Sequence, residues 1–267
     1  MQKDHVKHVL VSVCFFACTG VSAEPQDLIQ RLYYSDFSEE EEQPAKPFTM
    51  DGELGLIVST GNTAASSIKA AINADHNMDD WNNTYNAELL YTESDTDGSE
   101  RAVTAQRFYS TAQFDYKLHA NDRRLFLYAD YEDDRFNGYK YRSTLAAGWS
   151  HRAWKGLETE FRYSIGPGYT LIESEEPTLN SVNSGAVLRA SAEYRYNWST
   201  GARFRQFVST EAGTSNIRSR SETSVSASIF GSLAMKLSLI LIHETNPAPT
   251  SSTLSSETSV SLVYHYF

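Results

Sequence analysis

Ala186-Val187-Leu188-Arg189-Ala190-Ser191-Ala192-Glu193-Tyr194-Arg195-Tyr196-Asn197 is the stretch on which the fold turns. Its even positions are apolar or aromatic, while Arg189, Glu193 and Arg195 fall on odd ones. A period of two marks a β-strand with one face in an apolar medium and the other in a polar one. A helix would repeat at three and four residues instead.

The same alternation extends outward in both directions. Upstream, Phe161, Tyr163 and Ile165 oppose Glu158, Glu160 and Arg162, and Leu145, Ala147 and Trp149 oppose Arg142 and Thr144. Further back, Phe108, Phe114 and Tyr116 oppose Arg107, Asp115 and Lys117. Downstream, Phe204 and Val208 oppose Arg203, Arg205 and Glu211, and Val225 and Ala227 oppose Glu222. Leu237 to Glu244 is too uniformly apolar to carry a phase. From Phe48 to Phe267 the pattern predicts about twelve strands, an even number as a closed single-chain barrel requires. The expected fold class is all-β: an up-and-down antiparallel transmembrane β-barrel.

The connections support a membrane setting. Short ones are expected at His76 to Asn82, His119 to Arg123, Trp154 to Gly156, Ser199 to Gly201 and near Met235-Lys236. They alternate with mostly longer polar ones: Ser94 to Arg101, Glu132 to Gly138, Glu173 to Asn183, Ser215 to Ser219 and Asn246 to Ser256. Short periplasmic turns and longer outer loops alternate in this way in outer-membrane barrels. Trp81, Trp154 and Trp198 fall at or beside the short turns, where an interfacial aromatic girdle sits. Both termini are then expected on the periplasmic side.

The start of the chain reads as an export leader over residues 1–23. Lys3 and Lys7 precede the apolar Val9 to Val21, and Val21-Ser22-Ala23 is a small-residue cleavage site. Both cysteines, Cys14 and Cys18, lie in that leader, so the mature chain is held without disulfides. Residues 24–47, with Glu39 to Glu42, Pro44 and Pro47, read as an acidic periplasmic tail. Loss of the leader removes Lys3, Lys7 and Asp4, a net +1, and takes the formal charge from −11 to −12. An acidic chain argues against nucleic acid as a partner, since that needs a basic face. Mean hydropathy is −0.45, unlike that of a helical membrane protein.

Alternation alone does not say which face is inside. The leader, the loop asymmetry and the turn tryptophans assign the apolar stripe to outer-membrane lipid and the charged stripe to the lumen. Candidate lumen charges are Arg107, Asp115, Lys117, Asp130, Arg142, Glu158, Glu160, Arg162, Arg189, Glu193, Arg195, Arg203, Arg205, Glu211 and Glu222. Charges removed from water persist when paired, so an ion-paired interior is expected. The same groups lining a narrow pore would favour a small polar or anionic solute, because strands six to nine are rich in arginine. Gly166-Pro167-Gly168 reads as a bend or as room for a neighbour. The terminal Phe267 fits recognition by the outer-membrane assembly machinery.

The opening strand leads into Ser59-Thr60-Gly61-Asn62-Thr63, and the chain ends Tyr264-His265-Tyr266-Phe267. With the repeated strands between, residues 48–267 resemble the salt-induced outer-membrane protein family, also called YdiY-like or domain of unknown function 481. The resemblance implies an outer-membrane barrel of uncharacterised activity. It supplies no catalytic residues, and only Ser59, Gly61, Asn62 and Thr63 match its turn motif.

Enzymatic chemistry is not expected. A serine nucleophile needs a nearby His base and an orienting group, but His151 and His243 share the apolar phase, and His76 and His119 fall in turns. Only His265 is in the inward phase. Neither Gly-x-Ser-x-Gly nor His-Glu-x-x-His occurs, and no metal or cofactor is expected. The expected function is a structural or small passive-pore barrel. The alternatives are a barrel that binds a ligand or partner through its outer loops, a soluble periplasmic barrel and, most remote, a barrel hydrolase.

Overall fold

The computed structural model describes residues 47–59, 63–96, 102–118, 122–134, 139–174, 184–247 and 252–266. The leader, nearly all of the acidic tail, Gly61, Asn62 and Phe267 lie outside the described residues.

Twelve strands form wherever the alternation runs. They are β1 Phe48–Ser59, β2 Thr63–Asn77, β3 Trp81–Thr96, β4 Ala102–Lys117, β5 Arg123–Asp134, β6 Tyr139–Lys155, β7 Thr159–Ser174, β8 Gly185–Asn197, β9 Arg203–Gly213, β10 Ile217–Phe230, β11 Leu233–Glu244 and β12 Leu254–His265. Each pairs antiparallel with its sequence neighbours, and β1 closes on β12 with Gly52 opposite Tyr264 and Leu54 opposite Leu262. Closure leaves no unpaired strand edge. The shortest strand, β9, has 11 residues and the longest, β6, has 17. About 9–11 tilted residues cross a bilayer.

The barrel is inverted relative to a soluble one. Leu54, Ile72, Leu89, Leu125, Leu145, Leu188, Leu237 and Leu262 point outward and stay exposed, while Glu53, Lys69, Glu88, Asp115, Arg142, Arg189, Glu193 and Glu211 are buried inside. An outer surface of leucine and isoleucine this continuous belongs in hydrocarbon rather than water. Along β11, Met235, Leu237 and Leu239 are exposed while Ser238 and Ile240 are buried. Its inward face thus includes isoleucine, which explains why the sequence shows no phase there. Outward polar groups on β9 and β10 satisfy one another: Gln206 Nε2 donates to Ser221 Oγ at 3.0 Å, and Thr223 Oγ1 to Gln206 Oε1 at 2.6 Å.

Two ends are distinguishable. At one end lie the start of β1, the end of β12 and the short connections 78–80, 118–122, 156–158, 198–202 and 231–232. The last falls at Gly231-Ser232 rather than near Met235-Lys236. At the other end the connections of greatest length are 175–184 and 245–253, while three residues separate β1 from β2 and β9 from β10. Trp81, Trp154 and Trp198 ring the compact-turn end, packed on Tyr116, Phe161 and Tyr196 at ring-centroid distances of 5.1, 4.6 and 5.0 Å. The turn at Gly201 requires φ of +82°, a conformation glycine adopts without steric cost. At Gly166, a Cβ would overlap the Ala147 carbonyl, and one at Gly148 would overlap that of Ile165. The glycines therefore let the backbones of β6 and β7 approach closely, and the space at Gly166 is filled by neighbouring backbone rather than by a large side chain.

Candidate functional site: the charged lumen

Alternation on twelve strands delivers one inward side chain every second residue, and most of these are polar. They sort into a central layer that spans the bore and a cavity on either side of it.

In the central layer, β2, β3, β4 and β12 contribute a square of charges. Lys69 Nζ lies 3.2 Å from Glu88 Oε2 and 2.8 Å from Glu257 Oε1. Arg107 Nη2 lies 2.6 Å from both Glu88 Oε1 and Glu257 Oε2. On the other side, Arg142 and Arg189 grip Glu211 at 2.8 and 3.1 Å. The Arg189 guanidinium also lies 3.5 Å from the centroid of the Tyr128 ring, a cation–π contact. Asp130 accepts from Tyr128 Oη at 2.9 Å and from the Thr144 amide at 2.7 Å.

Two contacts reach across the whole bore. Arg220 of β10 lies over Tyr109 of β4, 4.8 Å from the ring centroid. These strands are diametric, six places apart in the ring of twelve. Arg218 of β10 meets Glu132 of β5 through two N–H···O contacts, at 2.5 and 3.0 Å, and lies 3.5 Å from Glu244 of β11. Side chains from facing walls touch here and narrow the bore at this height.

Toward the compact-turn end, a cavity of about 270 Å³ opens below this layer. Arg162, Arg195 and Arg205 there converge on Glu193, and Asp115 accepts from Gln113 and Ser150 at 3.0 and 2.9 Å. Glu160 and Arg203 line the same cavity. His265 does face inward, with Nδ1 2.5 Å from Asp51 Oδ1. Toward the loop end, a second cavity of about 340 Å³ is lined by Thr92, Ile240, Ile242 and Glu257 among others. Lys69 borders both cavities.

Of the expected lumen charges, two sit elsewhere. Glu158 lies exposed in the β6–β7 turn, accepting from Tyr196 Oη at 3.0 Å, because β7 begins only at Thr159. Lys117 ends β4 at the rim, where it donates to Asn77 Oδ1 at 2.7 Å and to the Met78 carbonyl. Ser59 and Thr63 close β1 and open β2. Several lumen charges escaped the sequence reading. Glu53 and Glu88 sit in the inward phase between recognised apolar residues, a signal that was available, while Glu132 belongs to the expected loop Glu132 to Gly138 and is strand. Arg218 and Glu257 fall near stretches that read as loop but are strand.

A family model described as "Protein of unknown function, DUF481" matches residues 52–266. The uncharacterized protein YdiY of Escherichia coli K12 is 26% identical over 202 residues, covering 76% of each chain. Among solved structures, the COG4313 outer membrane channel from Pseudomonas putida F1 aligns over 85% of this chain and 100% of its own, with TM-score 0.46 and 9% identity. The translocator domain of autotransporter NalP from Neisseria meningitidis aligns over 81% and 86%, with TM-score 0.42 and 9% identity. At these values the likeness is one of overall barrel form alone.

Proposed function

This chain belongs to the DUF481 family, and from that premise we propose that it is a non-enzymatic outer-membrane barrel, of structural or small-pore type, closed at mid-height by its own side chains. The termini and compact turns face the periplasm, and the long loops face outward. The observation that carries this reading is the pair of cross-bore contacts, Arg220 to Tyr109 between strands six places apart and Arg218 to Glu132 between strands five places apart. An open pore of this strand number would keep opposite walls apart.

A small-pore state has one specific support. Lys69 borders the cavities on both sides, so one layer of ion pairs divides them. Solute passage requires that layer to part.

Planar-bilayer recording of the purified barrel tests the proposal. Wild-type protein is expected to show no steady open-channel steps. Arg220→Ala combined with Tyr109→Ala removes a diametric contact and is expected to produce them. Steady, voltage-independent conductance of the wild type would end the closed-bore reading.

A further inference from the structure

The cavity at the compact-turn end has walls of opposite character. On β7 to β9, three guanidiniums converge on Glu193, whose side chain is only 4% exposed. Arg162 Nε and Nη2 lie 2.9 and 2.5 Å from its Oε2, and Arg195 Nε and Arg205 Nε lie 2.6 and 2.9 Å from its Oε1. Arg205 Nη1 also donates to Glu222 Oε1 at 2.8 Å. Arg203 adds a fourth guanidinium to this wall. Over the whole cavity lining, ten lysines and arginines face eight carboxylates, an excess of two positive charges.

The wall across from β8 and β9 lies on β2 and β3, six places away in the ring. It presents Asn73, Asp75, Thr84 and Asn86 to the same cavity. Asn86 Nδ2 donates to Asn73 Oδ1 at 2.7 Å, and Thr84 Oγ1 to Asp75 Oδ1 at 2.9 Å. This wall is a lattice of amide, hydroxyl and carboxylate groups, able to exchange hydrogen bonds with a hydroxylated solute.

Arg195 engages Glu193 through Nε and is 29% exposed. Its outer N–H pair is therefore free to turn to the cavity, in the planar geometry that matches a carboxylate. A volume of about 270 Å³ falls near the small end of ligand pockets, at roughly 300 Å³, and suits one monosaccharide-sized molecule.

We propose that this vestibule binds a small hydroxylated carboxylate of the sugar-acid class, its carboxylate on the arginine wall and its hydroxyls on the amide wall. The proposal rests on the closed-bore reading, which makes the vestibule a blind pocket open at the compact-turn end.

Titration calorimetry of the full-length barrel in detergent micelles, with sodium D-glucuronate as probe, tests it. Glucuronate is expected to bind, and to bind less well as salt is raised. Methyl glucoside, neutral and similar in shape, is expected at least tenfold weaker. Arg195→Gln is expected to weaken glucuronate about tenfold, which corresponds to about 1.4 kcal/mol. Arg203→Gln, on an exposed side chain at the start of β9, lowers affinity about threefold and carries the test should Arg195→Gln fail to fold. Lys140→Gln, at the loop end, leaves binding unchanged. Equal binding of the neutral sugar, no binding of either at millimolar concentration, or inorganic phosphate binding as tightly as glucuronate would each overturn the proposal. Wild-type conductance with intact glucuronate binding removes the closed bore and keeps the vestibule; the converse removes only the vestibule.

Discussion

The contact between Arg218 and Glu132 offers the sharpest energetic test of the closed bore. The two side chains are 10% and 6% exposed and meet through two N–H···O contacts. Replacing Arg218 by Met keeps the volume of the stem but leaves Glu132 as an uncompensated buried carboxylate. Breaking a buried pair this way costs about 3–5 kcal/mol. Arg107 and Arg142, both in the same layer, soften that cost, so the lower end, about 3 kcal/mol, is expected. Glu132→Met is expected to cost a similar amount, since it leaves Arg218 without its hydrogen-bonded partner and with Glu244 at 3.5 Å. The double variant is different. Both charges are gone, and two flexible apolar side chains fill the space, so its stability is expected within about 1 kcal/mol of wild type. A double-mutant cycle should then report a coupling of several kcal/mol. Reversible guanidinium unfolding in detergent micelles, followed by tryptophan fluorescence, reads all four proteins. Single variants within 0.5 kcal/mol of wild type, or a double variant as costly as the two singles together, would show that these side chains sit in water and that the bore is open.

Gly166→Ala is expected to destabilise the barrel by about 3 kcal/mol or to block folding, since the added methyl meets the Ala147 backbone carbonyl rather than a movable side chain; loss of heat-modifiable migration on a semi-denaturing gel reads this, and a wild-type-like shift would contradict it. The Arg152 guanidinium, hydrogen-bonded to Asp122 in the β4–β5 turn, holds that carboxyl below its ordinary range. A lowered folded-state value means its stabilisation is present above the unfolded value of about 4 and fades as pH falls below it. Asp122 is half exposed, so the effect is under 1 kcal/mol, read as a gap in unfolding midpoint between wild type and Asp122→Asn that is full at pH 6 and closes as pH falls below about 4 and on through the lowered folded-state value. Asn tolerates the φ of +52° at that position, so a gap as large at pH 2 as at pH 6 would point to the backbone instead. Glu173→Gln removes an exposed partner of Lys140 and is expected to change stability by less than about 0.5 kcal/mol in the same assay.

Much of the barrel was legible because the alternation is strong where it matters. Ala186 to Asn197 reads as one strand by its period of two, and it forms β8 with Arg189 and Glu193 buried. The count of twelve followed from repeating that exercise. What failed did so for identifiable reasons. Ser215 to Ser219 reads as loop by composition, yet β10 already begins at Ile217, so Arg218 was not recognised as a lumen group. The serine-rich stretch before Val260 hid Glu257 in the same way. At Glu158, an error of two residues in the start of β7 moved a charge from turn to lumen. Pairing is the deeper limit. Arg142 meets Glu211, 69 residues away and three strands round the ring. Which arginine finds which glutamate depends on tilt and on the height of each strand in the wall, and no local pattern of residues encodes either.

The cross-bore ties also bear on mechanics. A hollow twelve-stranded cylinder can flatten into an ellipse when neighbours crowd it in the membrane plane, because shearing strands past one another by small angles costs little. Arg220 on Tyr109 and Arg218 on Glu132 act as spokes of fixed length between facing walls. Squeezing the cylinder along one axis stretches it along the other, and strands five or six places apart then pull on a buried ion pair or a cation–π contact. The cross-section is thereby held near one shape, and the barrel behaves as a stiff post in the bilayer rather than a deformable tube.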